Sequence, residues 1–306
     1  MDCLRLGYRG TDMTNHVETQ DASVAGEATR GFTEILALYH GFGRGAQRIE
    51  VIENCEFKLK PGKLTVMIGP SGCGKSTLAK LLAGYLHPDE GSLLIDGRHI
   101  AGPGKDRLMV FQESALFPWM VNEENALYGL LASGQVGAGA RQRVTALMDR
   151  VGLGRFRHKY PGALSGGMQR RLEMVRALVN EPALFILDEP FRGLDAMTRT
   201  LMQEHFAQMF EEGRRTALFI TTDIDEALLL ADEILVMSSR PMKVTRRITV
   251  DVPRPRTVAG MIKDERMKHI KVAVTKALYS EAIKAFDGSS RAVAAAGFEK
   301  FLDTTQ

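Results

Sequence analysis

The chain has 306 residues, of which 44% are hydrophobic and 25% are charged, a balance that is typical of folded globular proteins and excludes a fibre or a disordered chain. Its formal net charge of +3 is too small to attract nucleic acid or anionic lipid without specific contacts, so we expect no nucleic-acid partner. The three cysteines, Cys3, Cys55 and Cys73, have neither CxxC nor metal-ligand spacing, which indicates reduced thiols in a cytosolic protein.

The N-terminal segment is expected to be a loose tail over residues 1–31, since it has no apolar run and carries acidic residues that fit neither secretory nor mitochondrial targeting. From about residue 33, short apolar runs alternate with turn signals and helical patterns. Six runs are predicted as strands, and the first five have no polar face, as buried parallel strands require. They cover residues 64–68, 93–95, 107–111, 184–187, 217–221 and 233–237. Strands separated by helices predict an α/β fold with right-handed crossovers.

Helical patterns dominate two further regions. Apolar residues recur at helical spacing between residues 117 and 166, which predicts an inserted helical subdomain over about residues 113–180. The prolines of residues 251–256 end the sheet, and a helical extension is expected over residues 251–306. One stripe in it suits core packing or dimer contact better than binding to a membrane surface; it comprises Met267, Ile270, Val274, Leu278, Ala282 and Phe286. No run of about 18 apolar residues occurs, so a membrane role would depend on partners.

A phosphate-binding loop is predicted at residues 69–77, which match the pattern GxxxxGK[ST] between an apolar strand and a helix. The motif comprises Gly69, Pro70, Ser71, Gly72, Cys73, Gly74, Lys75, Ser76 and Thr77. Its glycines permit the tight turn that directs backbone amides at phosphate oxygens. Lys75 is expected at the β- and γ-phosphates and Ser76 on Mg²⁺. Cys73 is interpreted as a small filler whose thiol pKa the nearby amides would lower.

Two acidic residues follow the apolar run at 184–187, and they are the candidates for metal binding and catalysis. Asp188 would lie at the carboxyl end of a buried strand, where a single carboxylate suffices as an oxygen ligand for Mg²⁺. Glu189, the next residue, could orient or deprotonate the water that attacks a γ-phosphate. The alternative is a solvated acidic turn before Pro190, which two acids directly after an apolar strand make a poor interpretation.

The segment Leu164-Ser165-Gly166-Gly167-Met168-Gln169 resembles the signature sequence of ATP-binding cassette (ABC) proteins and lies just upstream of Asp188, as in that family. A serine and bare amides at a helix N-terminus are suited to binding a γ-phosphate. The resemblance implies a head-to-tail dimer with two ATP molecules, each held between the Lys75 loop of one chain and Ser165 of the other. It also implies ATP and Mg²⁺ as ligands and ATP hydrolysis as the activity.

Three further positions resemble the family residue by residue. Gln112 occupies the place of the glutamine that touches Mg²⁺ and the attacking water, although it could be an ordinary strand-end residue. Phe42 resembles the aromatic residue that stacks on adenine, with Tyr39 and a plain core aromatic as alternatives. Residues 193–195 (Gly-Leu-Asp) resemble the segment that crosses the dimer. The resemblance covers about residues 33–256.

The resemblance predicts a fold and an organisation. We expect an α/β P-loop NTPase (RecA-like) core with a mainly parallel sheet, an antiparallel β edge region, the inserted helical subdomain and the helical C-terminal extension. The nucleotide-binding domain would span residues 32–250. Other expected partners are membrane permease subunits and, indirectly, a solute-binding protein, with the chain peripheral on the cytoplasmic face of the inner membrane.

Within the family, the FPW sequence at 117–119 and DVPRPR at 251–256 resemble the nitrate, sulfonate and taurine importer branch, which implies import of a small solute, with anions as candidates. Trp119 would lie in the groove that receives a coupling helix of the permease; its alternative role is to anchor the helical subdomain.

One position departs from the family. The family has histidine where this chain has Thr222, within Thr221-Thr222-Asp223, and no histidine occurs between His205 and His269. Loss of one transition-state contact commonly slows an enzyme about 10²- to 10³-fold, so we expect slow hydrolysis. Either Glu189 and Gln112 compensate in a homodimer, or the chain is a hydrolysis-impaired, regulatory member of a heterodimer with another ABC ATPase subunit.

Overall fold

A computed structural model describes residues 30–213 and 215–284. The strands of these residues are β1 (Thr33–Phe42), β2 (Ile49–Leu59), β3 (Leu64–Ile68), β4 (Glu90–Ile95), β5 (Arg98–His99), β6 (Arg107–Val110), β7 (Leu184–Asp188), β8 (Thr216–Ile220), β9 (Glu233–Met237) and β10 (Val244–Thr249). Their α-helices are α1 (Lys75–Ala83), α2 (Asn122–Ala132), α3 (Ala138–Arg150), α4 (Gly166–Val179), α5 (Ala196–Gly213), α6 (Ile224–Leu230), α7 (Val258–Lys263) and α8 (Glu265–Lys284). Nearly all of the predicted tail, and Phe286 of the predicted stripe, lie outside the described residues.

The larger sheet has six strands in the order β10-β9-β3-β8-β7-β6. All neighbours in it are parallel except β10, which pairs antiparallel with β9. Every residue of β3, β7 and β8 is buried, which explains why their sequences show no polar face. Five of the six predicted runs form strands of this sheet, with boundaries within one residue of those predicted. The predicted mainly parallel α/β core is therefore confirmed.

The smaller sheet is antiparallel and has the order β2-β1-β4-β5. The run 93–95 belongs to it as part of β4, so the prediction of a buried parallel strand there is wrong. Leu93 and Ile95 are buried, but Leu94 between them is only partly buried. Because the side chain on the outer face is also apolar, the sequence hides the alternation that distinguishes a half-exposed strand.

The six-stranded sheet separates two hydrophobic clusters, because alternate residues of each strand point to opposite faces. On one face, Met67, Ile186 and Leu218 pack with α1 and the smaller sheet. On the other face, Val66 and Phe219 pack with the helices that follow β6 in the chain. Helix α1, which follows the predicted phosphate loop, and helix α4, which begins at the predicted signature, therefore lie on opposite sides of the sheet.

Helices α2, α3 and α4 follow β6 and precede β7 in the chain, where the helical insertion was predicted. At the C-terminal end, Met267, Val274 and Ala277 of α8 are buried in the same cluster as α4, and Ile270 and Leu278 pack against it. This packing confirms the core-packing interpretation for Met267, Ile270, Val274 and Leu278 of the predicted stripe, whereas Ala282 is only partly buried and lies outside the cluster. Among those residues, no helix is long and apolar enough to cross a bilayer.

Candidate active site

The predicted phosphate loop connects β3 to α1, which begins at Lys75. Gly72 and Gly74 have φ angles of 74° and 127°, in the region that residues with a side chain rarely adopt. A Cβ on Gly74 would also lie 2.9 Å from a methyl carbon of Val51. The Lys75 ammonium is buried and donates hydrogen bonds to the carbonyls of Gly69 (2.8 Å) and Pro70 (2.9 Å). The loop is thus wrapped around its own lysine, in a conformation that requires glycine.

Cys73 is buried inside this loop. Burial raises the pKa of its thiol, and the attraction of Lys75 for the thiolate only partly offsets that effect. Backbone amides of the loop also lower this pKa, as expected, but burial outweighs them and the net shift is upward. The thiol stays protonated at neutral pH and acts as a small filler.

Asp188 ends β7 and is 4% exposed, and its Oδ1 has no hydrogen-bond partner within the described residues. Burial raises the pKa of this carboxyl, while a hydrogen bond with the Ser76 side chain lowers it and the charge of Glu189 raises it. A buried carboxylate oxygen with no partner, next to a hydroxyl, is a suitable pair of ligands for a hard divalent cation. These residues therefore fit Mg²⁺, the ion expected from the sequence.

Glu189 lies at the point where the chain leaves β7. Its φ of 44° is left-handed, and its amide donates to the carbonyl of Ile220 on the neighbouring strand (2.9 Å). A non-glycine residue in this region is uncommon and is often found at functional sites. Its side chain is 14% exposed and forms an ion pair with Arg192 (3.0 Å). The carboxylate is thus held close to Asp188 by the backbone turn and restrained by an arginine.

The segment after β8 contains the position at which the family has histidine. Ile220 pairs with Asp188 across the sheet, so Thr222 leaves the same sheet edge as the two acids. Thr221 is buried and its amide donates to the carbonyl of Met67 (3.1 Å), whereas Thr222 itself is exposed. Asp223 then caps helix α6 by accepting from the amides of residues 225 and 226. The backbone on both sides of Thr222 is therefore fixed, and its short side chain faces solvent.

The predicted signature forms the start of α4, as expected. Ser165 is the N-cap and its hydroxyl accepts from the amide of Met168 (3.3 Å). The Gln169 amide group donates to the carbonyl of Pro161 (3.1 Å). A Cβ on Gly167 would lie 2.8 Å from the methyl group of Thr198, so this helix start fits closely against the start of α5. The structure does not bring Ser165 to the Lys75 loop of the same chain, because the helices that carry them lie on opposite faces of the sheet.

Gln112 is the second residue after β6, and it is exposed. Phe42, at the end of β1, is 47% exposed and packs edge-on against His40, with ring centroids 4.9 Å apart. The core-aromatic interpretation of Phe42 is therefore wrong, whereas Tyr39 is partly buried. Trp119 is 69% exposed and packs against Phe117 at 5.5 Å, so it does not anchor the helical subdomain by being buried.

Three arginines in and around the site were not predicted. Arg170 of α4 is buried and donates to the carbonyls of Phe111 and Gln112, which fixes the Gln112 segment to the signature helix. Arg192 pairs with Glu189, and Arg199 contacts the segment that contains Leu194. Arginine at a helical position usually indicates an exposed face, so no sequence pattern marks Arg170 and Arg199 as side chains that contact distant segments.

Comparison with known proteins gives the family. A model of the ABC transporter family matches residues 52–192, a range that includes the phosphate loop, the signature and both acids. The nitrate transport protein NasD of Klebsiella oxytoca is 39% identical over 259 residues, which cover 82% of this chain and 98% of that protein. The aliphatic sulfonates import ATP-binding protein SsuB of Bacillus cereus is 40% identical over 216 residues, which cover 71% of this chain and 85% of that protein.

Among solved structures, the fold is similar to the dimeric ATP-binding cassette MJ0796 in a post-hydrolysis state bound to ADP and Pi. The TM-score is 0.64 and the identity 26%, over 72% of this chain and 100% of that one. The P-loop NTPase fold, the similarity of sequence and the local geometry of the loop and the acids agree with one another. The chain therefore belongs to the ABC transporter family, as an ATP-binding subunit whose ATP hydrolysis is coupled to transport.

Proposed function

We propose that this subunit closes head-to-tail with a second cassette around two ATP molecules and thereby drives import of a small solute through separate permease subunits. The observation that carries the proposal is the separation of the two anion-binding helix starts. Lys75 and Ser165 begin helices on opposite faces of one sheet, so a single chain cannot close its own site. A second chain has to supply the signature, and the dimeric state of the similar cassette MJ0796 supports a dimer.

Each residue of the loop and of the neighbouring strand ends has a proposed role. The amides of residues 69–77 hold the phosphates, and Lys75 turns from the carbonyls of its own loop to the β- and γ-phosphates. Glu189 accepts a proton from the attacking water. Ser76 and Asp188 would hold Mg²⁺, which supplies positive charge to the phosphates when bound. The fit of that ion is supported by the Oδ1 atom of Asp188, which has no partner within the described part of the chain.

Further roles follow from the resemblance to the family. Phe42 stacks on adenine, a role that its exposure at the end of β1 supports better than the partial burial of Tyr39. Gln112 contacts the metal and the water, and the exposed position of its side chain leaves it free to do so. Residues 193–195 cross to the partner, next to Gly167 of the signature.

The permease is proposed to dock on the helical subdomain. Phe117, Trp119 and Tyr128 form an aromatic group, with ring centroids 4.4 to 5.5 Å apart and Trp119 mostly exposed. Exposed aromatic residues of this kind are common at the centres of interfaces. The subunit would thus be peripheral on the cytoplasmic face of the inner membrane, with a solute-binding protein acting through the permease. The names of SsuB and NasD suggest small anions as the class of transported solute.

We also propose residues 32–250 as the nucleotide-binding domain, with the helical subdomain at about 113–180 and the C-terminal extension at 251–306. The position of α2 to α4 between β6 and β7 supports the bounds of the helical subdomain, and α8 supports a helical extension.

Dimerisation on ATP tests the proposal. The full chain carrying Glu189→Gln should sediment as a dimer in Mg-ATP and as a monomer without nucleotide, because ATP stays bound when it is not hydrolysed. Adding Lys75→Ala to that chain should abolish the dimer, since the phosphates lose their cation. A Glu189→Gln chain that remains monomeric at saturating Mg-ATP, even with its permease present, would contradict the proposal.

A second candidate is a hydrolysis-impaired subunit of a heterodimer, and the specific observation that favours it is Thr222. An exposed threonine is shorter than histidine and brings no positive charge to the transferring phosphoryl group. Thr222→His should therefore raise the steady-state ATPase rate about 10²-fold if the site lacks only that contact. An unchanged rate would reject impairment at this position and leave Glu189 and Gln112 as sufficient.

A further inference from the structure

Arg199 lies in the first turn of α5 and contacts two segments that are far apart in the sequence. Its Nη2 donates to the carbonyl of Leu194 at 3.0 Å. Its Nη1 lies 3.9 Å from Oδ2 of Asp223, which follows Thr222. The guanidinium therefore lies between the segment at 193–195 and the segment at 221–223, with a hydrogen bond to the first and a charge contact with the second.

The segment at 193–195 also contacts the signature. A Cβ on Gly167 would lie 2.8 Å from the methyl group of Thr198 and 4.0 Å from a methyl group of Leu194. The amide of Thr198 donates to Asp195 Oδ1 (3.0 Å), and the amide of Arg199 donates to the Asp195 carbonyl (2.9 Å). The signature, residues 193–195 and the first turn of α5 thus form one packed group, called the signature unit below. Arg199 belongs to this unit.

Asp223 is equally fixed on its own side. Its Oδ1 accepts from the amides of Asp225 and Glu226, which leaves Oδ2 to face Arg199. The amide of Asp223 donates to the hydroxyl of Thr221 (3.0 Å), the residue whose own amide binds β3. The charge contact of Arg199 thus falls on a residue whose backbone and side chain are tied to both sides of Thr222.

In the head-to-tail dimer of the proposed function, on which this inference rests, the signature unit and the segment at 221–223 belong to different ATP sites. The signature and residues 193–195 complete the site of the partner. Thr222 leaves the sheet edge beside Asp188 and Glu189 and belongs to the site of its own chain. We propose that Arg199 is a positioning residue that couples the two ATP sites, so that closure of one site through the signature unit aligns the Thr222 segment at the other.

The choice of arginine supports this role. A guanidinium can direct two nitrogens at two acceptors at once, whereas a lysine ammonium at the end of a flexible stem reaches one of them. Arg199→Lys keeps the charge but removes the second contact. Asp223→Asn keeps a side-chain oxygen that can cap α6 and removes the charge that attracts Arg199.

The test counts ATP molecules in dimers of the full Glu189→Gln chain by native mass spectrometry across a range of Mg-ATP concentrations. ATP-dependent dimerisation by itself favours dimers that hold two ATP molecules, so each variant is compared with the parent Glu189→Gln chain. Arg199→Ala and Arg199→Lys should each raise the share of dimers that hold one ATP about tenfold, a typical size for coupling between sites. Asp223→Asn should do the same, and the double variant Arg199→Ala with Asp223→Asn should add nothing further.

Two controls separate coupling from simple damage to the fold. Arg266→Ala removes an exposed arginine whose acceptors are the Asp264 carboxylate and the carbonyl of Asp251, both outside the two segments that Arg199 contacts, and it should leave the ATP distribution unchanged. The melting temperature and the ATP affinity of the monomer should stay close to those of the parent chain in the Arg199→Lys variant.

The outcomes distinguish the two proposals. If Arg199→Lys dimerises with the parent distribution of ATP, or if the effects of Arg199→Ala and Asp223→Asn simply add, the coupling role is wrong and the dimer stands. If the parent Glu189→Gln chain forms no dimer, the proposed function itself fails and the coupling role fails with it.

Discussion

At the scale of single residues, Asp188 combines burial with an oxygen that has no partner among the described residues. We expect Asp188→Asn to abolish ATPase activity, with a loss of at least about 10²-fold, since the metal loses its carboxylate. Without nucleotide, the same change should raise the free energy of unfolding by about 1–2 kcal/mol at pH 8, because a buried carboxylate with one unpartnered oxygen costs more than a neutral amide. Urea denaturation and steady-state ATPase assays measure both effects.

The pH dependence of that gain follows from the raised pKa of Asp188. A carboxyl whose pKa is higher in the folded than in the unfolded state lowers stability above its folded pKa, and the cost disappears below the unfolded pKa. The stabilisation by Asp188→Asn should therefore be larger at pH 8 than at pH 4.5. The exposed control Asp251→Asn should change stability by less than about 0.5 kcal/mol at either pH. Equal effects of the two variants would contradict the role of burial.

The sequence was sufficient to predict those site residues that belong to a motif of consecutive residues. Lys75 and Ser76 are recognisable because phosphate binding needs a strand, a glycine turn and a helix in succession, and Asp188 and Glu189 because they end an apolar run. Arg170 and Arg199 were not predicted, since their acceptors are backbone carbonyls or acids in other segments of the chain. Every residue has a backbone carbonyl, so the residue type does not identify which residue accepts a hydrogen bond from these arginines.

At the scale of elements, the close contact between α4 and α5 leads us to expect opposite changes in stability when two adjacent glycines are replaced by alanine. Gly166→Ala has open space and should stabilise the chain by up to about 0.5 kcal/mol, because alanine favours helix. Gly167→Ala should destabilise it by about 1 kcal/mol, because the new methyl group meets Thr198, whose side chain is hydrogen-bonded to Asp195. Chemical denaturation of both variants measures the difference, and a stabilising Gly167→Ala would show that the contact is loose.

Helix α6 and the chain after β10 are connected by Arg256, which is buried and donates to five backbone carbonyls. These carbonyls belong to Leu228, Leu229, Ala231, Val250 and Val252. Burial lowers the pKa of this guanidinium to about 10, and the charge of Arg254 adds to that effect. The group still carries its charge at neutral pH, where it satisfies the carbonyls at the end of α6.

Arg256→Ala should therefore lower the free energy of unfolding by about 2–4 kcal/mol, since buried carbonyls lose a charged donor. Arg246→Ala, on the exposed face of β10, is the matched control and should cost less than about 0.5 kcal/mol. Thermal and denaturant unfolding compare the two, and similar costs would show that Arg256 contributes no more than a surface residue.

The strands were predicted correctly where only one interpretation of the sequence pattern was physically possible. Runs with no polar face became β3, β6, β7 and β8, and the sixth run became β9. The run at 93–95 failed because three apolar residues in succession fit a buried parallel strand and a half-exposed antiparallel one equally well. Pairing direction depends on which strand lies alongside, and the local sequence does not contain that information.

At the scale of the whole molecule, α8 is part of the main hydrophobic core. Met267→Ala should lower the free energy of unfolding by about 2–5 kcal/mol, as expected for a fully buried side chain. Ile262→Ala, on the neighbouring α7 and 68% exposed, should have little effect. A negligible cost of Met267→Ala in denaturant unfolding would show that the extension folds separately from the sheet.

The sheet also divides the protein for anyone who wishes to redesign it. Side chains that support the nucleotide loop and those that support the signature belong to different hydrophobic clusters, with a layer of backbone between them. Substitutions chosen in one compartment should combine with substitutions in the other without interfering, whereas pairs within a compartment have to be selected together. Nucleotide binding and dimerisation could thus be optimised in two independent mutant libraries.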